Sequence, residues 1–146
     1  MPITFHFHPE ANLVIAVHVG TVADDEFLSS YKALYEDPRF DLSSDRLVDL
    51  RRTDSSARST AALRAFAAFA REKHRDTTPR PRFAVIAPRD LSFGLARMYE
   101  VFGEGPETEF VVFREADAAL AWLRLPEDLA DDFEREIPSQ DAPVLG

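Results

Sequence analysis

The chain has 146 residues, 45% of them hydrophobic, which is one domain of ordinary size that can bury a core without cross-links or a structural metal. It has no cysteine, so disulfides, a thiolate nucleophile and Cys-ligated zinc are all excluded. A net charge of -9 sets a repulsive far field against a phosphate backbone and argues against nucleic acid as a partner.

In chain order, Ile3 to His8 alternates apolar and polar, and after Pro9-Glu10-Ala11-Asn12 a β-branched run spans Leu13 to Val19. This is a β-hairpin. The alternation predicts Ile3, Phe5 and Phe7 on one face with Leu13, Ile15, Val17 and Val19, and His6, His8 and His18 on the other. Three imidazoles on one face raise the question of a metal, but a solvated hairpin face explains them better, and no metal site is assigned. Asp24, Asp25 and Glu26 open a helix, where acids favour the positive end of the dipole, and Asp37-Pro38 ends it.

The central stretch is Arg46 to Ala70. Leu47, Val48 and Leu50 read as a covered strand, Thr53 to Ser56 as capping oxygens, and the Ala-rich run that follows as a helix. Strand, helix and strand in this order imply a right-handed crossover and parallel pairing. A polar linker, Lys73 to Arg82, contains a lone imidazole, His74. Phe83 to Ala87 is the next strand, Asp90 to Phe102 a helix closed by Gly103 and Gly105-Pro106, and Phe110 to Phe113 the last strand. A short helix, Ala116 to Leu123, follows. Residues 1–125 are expected to form the α/β domain and 126–146 an acidic extension, where a stripe that starts at Leu125 and continues through Leu129 and Phe133 suggests a docked helix before a loose tail. No eighteen apolar residues run together and the amino terminus lacks signal-peptide features, so a cytoplasmic protein without a transmembrane segment is expected.

The order of these elements, with RLVDLR before the central helix, FAVIAP leading into DLSFGLARMYEVF, and FVVF followed by EADAALAWL, resembles the SpoIIAA-like (STAS-like) family over roughly residues 3–123. The resemblance implies a five-stranded mixed sheet, its first strand antiparallel and the rest mostly parallel, with four main helices and a short C-terminal one. It also implies regulation or ligand binding more often than catalysis. Anti-sigma-factor antagonists of this fold carry D-S-S-G-L-G with a phosphorylated serine, which would make Ser55 the phosphoacceptor. Here Ala57, Arg58 and Ser59 replace the glycine-bearing part, and capping is the stronger reading of the hydroxyls.

No nucleotide loop, serine elbow or convergent catalytic set is evident, so the chain reads as a non-enzyme without cofactors. Two functions are expected: a regulatory protein-interaction module, or a module binding a small molecule, anion or lipid. The second rests on charge. The segment from Arg46 to Arg97 holds twelve Lys or Arg against five acids, and Arg51, Arg52, Arg58 and Arg89 would gather at the carboxyl ends of neighbouring strands. A homodimer is expected through the helix at Asp90, because Leu91, Leu95, Met98 and Phe102 would form its buried stripe and leave Phe93 exposed between Arg97 and Glu100.

Overall fold

The structure, a computed structural model, describes residues 2–76, 80–102 and 109–136, with side chains to position 133. Strands β1 (Ile3–His8) and β2 (Leu13–Gly20) pair antiparallel across a single 3-10 turn at Pro9–Ala11, which Asn12 closes in the left-handed region at φ 51°. The register sets Ile3 opposite His18, Phe5 opposite Ala16 and Phe7 opposite Val14. Residues directly opposite share a face. The expected partition of this hairpin is therefore corrected: Ile3 lies with Val14 and Ala16 in one core, while Leu13, Ile15 and Val17 belong to another. His18 is buried, on the face opposite to that of His6. Apolar residues occupy both faces of β2, so alternation alone carried no information about which face was which.

From β2 onward the chain adds one strand at a time through a helix. Helix α1 (Asp24–Glu36) leads to β3 (Asp45–Thr53), α2 (Thr60–His74) to β4 (Arg82–Ile86), and α3 (Asp90–Phe102) to β5 (Glu109–Phe113). The sheet order is β1-β2-β3-β4-β5, with every pair after the hairpin parallel, as expected. Repeated right-handed crossovers that extend a sheet in one direction leave their helices on one face. Accordingly α1 and α2 build a core on Ile3, Val14 and Ala16, and α3 packs beside them on Val85 and Val112. Helices α4 (Ala116–Leu123) and α5 (Glu127–Glu136) cover the other face, over Leu13, Ile15, Leu47 and Ile86. The stripe of the acidic extension docks there, with Phe133 2% exposed; burying such a ring contributes roughly 1.5–3 kcal/mol. No helix among the described residues is long and apolar enough to cross a membrane.

Two local expectations are also revised. Helix α2 starts at Thr60, capped by Ser59, whose hydroxyl accepts from the Ala62 N–H at 3.1 Å. The earlier hydroxyls build the turn instead: Asp54 accepts from the Ser56 N–H and Oγ, and Ser55 adopts φ 60°. A side chain that bonds its own backbone two residues on competes with helix, which delays the start. His74 is not in a linker but ends α2, almost wholly buried. The glycines expected to close α3 and the tail after Ile137 lie outside the described residues.

Candidate functional site

Strand β3 supplies both faces with polar groups. Leu47, Asp49 and Arg51 turn toward α4 and α5, and the Arg51 guanidinium sits 4.8 Å from the Phe133 ring. Arg46, Val48 and Leu50 turn toward α1, α2 and α3. The ladder with β2 then slips: Val17 pairs with Asp49, but Val19 pairs with Arg52. That extra residue in β3 lets Thr53 line the same space as Arg46, Val48 and Leu50.

The space is a cavity of about 90 Å³ between the sheet and the three helices. Its walls include six aromatic rings: Phe27, Tyr31, Phe66, Phe83, Tyr99 and Phe110. Polar groups enter at several points. His18 Nε2 lies 2.7 Å from the Tyr31 hydroxyl, and burial, with the nearby Arg58 charge, pushes the imidazole down to about 3. Ser55 Oγ and the fully buried Ser92 Oγ are 2.7 Å apart. Tyr31 and Tyr99 are both held above the ordinary phenol range by burial.

Arg46 is 3% exposed. Its Nη2 donates to the Tyr35 hydroxyl at 3.0 Å, its guanidinium lies 4.5 Å from the Phe83 ring centre and 5.2 Å from that of Tyr35, and its buried Nε has no partner among the described residues. No carboxylate among the described residues pairs with it. Having accepted from Arg46, the Tyr35 hydroxyl is free to donate its proton to His74 Nε2, 2.5 Å away. Burial and then the Arg46 charge lower His74 to about 4. Both imidazoles are therefore neutral near pH 7, far from the poise of a general acid or base at that pH.

The residues singled out from sequence fall in several places. Arg51 is turned to the opposite face, where its Nε and Nη2 donate to Asp49 at 3.0 and 3.1 Å. Arg52 is half-buried, and its Nε has no partner among the described residues. Arg58 lines the cavity, bonded to Asp24 at 2.7 Å and lying 3.9 Å from the Phe27 ring centre. Arg89 donates to the Thr53 carbonyl at 2.6 Å. The four thus do not form one cluster: Arg58 lines the cavity, as Ser55 does, Arg89 meets the backbone of Thr53, and Arg51 lies on the other face of the sheet.

The face of α3 is corrected as well. Phe93 is half-buried against Val85, Ala96 and Val112, with the Arg114 guanidinium 4.2 Å from its ring centre, whereas Leu91 is 52% and Val101 66% exposed. Arg97 and Glu100 pair with each other at 3.3 Å. Small Ser92 and Ala96 form the buried line, because close approach of a helix to a sheet selects small residues rather than the largest apolar ones. Sequence reasoning missed Arg46, Tyr99 and Ser92 as site residues, and it placed His18 on a solvated face. A histidine inside the apolar run Leu13 to Val19 was the one signal available.

No family model matches the chain, and no curated protein matches it. Among solved structures, it is similar to an uncharacterised protein of the DUF3478 family from Shewanella loihica PV-4, described as having a SpoIIAA-like fold. The likeness covers 83% of this chain and 91% of that one, with a TM-score of 0.54 and 18% sequence identity. At that identity the likeness is one of architecture, and it agrees with the strand order and the single antiparallel pair described above. The chain has the SpoIIAA-like fold.

Proposed function

We propose that the chain is a non-catalytic binding module whose cavity between the sheet and α1, α2 and α3 takes a small, largely apolar molecule. The observation that supports this is the cavity itself, about 90 Å³ and walled mainly by aromatic rings with a few polar groups at fixed points. Concave spaces walled by apolar and aromatic side chains with a few convergent polar groups are the usual setting of small-molecule sites. Indole, titrated into the protein and followed by thermal denaturation, tests the reading. The melting temperature should rise with ligand concentration as mass action requires, and Ala96→Leu, which extends a side chain into the cavity, should remove the rise. No rise in the unmodified protein would reject it.

A second reading, a regulatory module that docks a protein partner or a second copy of itself, draws support from α3, where Leu91, Met98 and Val101 are all exposed. Light scattering at tens of micromolar tests the self-association. A dimer that Val101→Glu dissociates would favour this reading, and a monomer would remove the homodimer.

A further inference from the structure

We propose that the ligand of this cavity carries a carboxylate and that Arg46 is its counter-ion, an inference that rests on reading the cavity as a ligand site. Three other guanidinium groups that turn inward each meet a carboxylate. Arg51 has Asp49 at 3.0 Å, Arg58 has Asp24 at 2.7 Å and Arg82 has Asp45 at 2.9 Å. A charge withdrawn from water is costly unless an opposite charge meets it. Arg46 is as buried as Arg51, yet its neighbours are aromatic rings and one tyrosine hydroxyl.

Ring faces attract a cation but leave its N–H groups unmet. The Arg46 Nε–H, one prong of the fork that matches the two oxygens of a carboxylate, has no partner among the described residues. The Tyr99 hydroxyl, close enough to feel the Arg46 charge, also has none among the described residues. Arg46 and Tyr99 are both among the residues that line the cavity. A carboxylate between them would accept from each and supply the missing negative charge.

The rest of the lining sets what is attached to that head. Arg46 lies near the start of β3 and Thr53 ends it, and Val48 and Leu50 line the space between, with Val85 and Leu95 beside them. The ligand class is therefore an apolar monocarboxylate, with the acid at Arg46 and the hydrocarbon along β3 toward the Ser55 and Ser92 hydroxyls. A free small anion would occupy the charged end and leave the apolar walls unfilled.

Calorimetric titration of the full chain with octanoate, 1-octanol and acetate tests this. Octanoate is expected to bind at least tenfold more tightly than octanol, with acetate weaker still. In Arg46→Met the preference for the acid should vanish while octanol affinity stays within about twofold. Equal affinity for octanoate and octanol in the unmodified protein would overturn the counter-ion and leave the cavity reading standing. Binding of none of the three would overturn both, and acetate binding as tightly as octanoate would overturn the apolar body. A preference that survives Arg46→Met would overturn the role of Arg46. The octanoate to octanol ratio of the unmodified chain decides the matter even if Arg46→Met does not fold.

Discussion

One strand, β3, sends a buried arginine to each face of the sheet, and the two are met differently. On the α4 and α5 side Arg51 has a carboxylate two residues away, three N–H groups of the residue donate to it, and Phe133 covers the guanidinium. On the α1 to α3 side Arg46 has rings, a phenol and an adjoining cavity. One face is internally complete, as close-packed cores are. The other keeps a cavity, and beside it a guanidinium that no carboxylate among the described residues meets.

The comparison breaks most directly by substitution at the charged pairs. Asp49→Ala removes the carboxylate that three Arg51 N–H groups meet and should be clearly destabilising, whereas Arg46→Met, which removes a charge that no acid among the described residues offsets, should be neutral or stabilising. Thermal denaturation of the two variants checks this, since about 1 kcal/mol shifts the midpoint by roughly 2–4 °C in a domain of this size. If Arg46→Met is as damaging as Asp49→Ala, Arg46 is a structural residue.

Acid sharpens the contrast next. His18 at about 3 and His74 at about 4 both lie below the ordinary 6.5, and both sit on the cavity side. Between pH 6.5 and 4 the unfolded chain binds more protons than the folded one, so their contribution is present above 6.5 and is lost as pH falls. The slope is up to about 1.4 kcal/mol per pH unit for each imidazole. Denaturation midpoints measured from pH 7 to 4.5 should fall, and His74→Gln should roughly halve the slope. Asp24 and Asp54 shift downward from 3.8, so their effect begins below this window. A flat profile would mean that the imidazoles reach solvent.

Packing gives a smaller and more local test. Ala119, fully buried among Leu120, Leu123 and Ile86, has no room, and Ala119→Leu should cost about 1–3 kcal/mol. Ala96 borders the cavity, and Ala96→Leu should cost clearly less in urea denaturation. Equal costs would mean that the cavity is not roomier than the opposite core. The smallest effect is expected at the start of α2, where Ser59→Ala should lose about 1 kcal/mol and Ser56→Ala much less, because Ser59 alone caps the helix. The reverse order would restore the earlier start read from the hydroxyls at 53–56.

The alternation of strand and helix was legible because each strand after β2 is a short apolar run and each helix follows a capping or turn signal. What was not legible was which way residues face where both sides are covered. His18 and Phe93 were misassigned for that reason: β2 is apolar on both faces, and the seat of α3 is decided by the small Ser92 and Ala96. Arg46 was invisible as a site residue for a related cause. An arginine at the start of a strand reads as a solvated flank, and only the tertiary meeting of Tyr35, Phe40, His74 and Phe83 encloses it. The clustering of Arg51 with Arg58 and Arg89 failed because Asp49, two residues before Arg51, holds its side chain on the far face.

Because the sheet order repeats the chain order, every strand hydrogen-bonds to the one translated just before it. Each closure spans a single crossover, so the entropic cost of every successive pairing is modest, and the sheet is suited to growth from its amino-terminal hairpin as the chain leaves the ribosome. Tyr99 and Phe110, from α3 and β5, complete the cavity wall only after four strands are in place. A nascent chain that has reached Ile86 would thus own most of its sheet while the wall that Tyr99 and Phe110 give the cavity is still to be made.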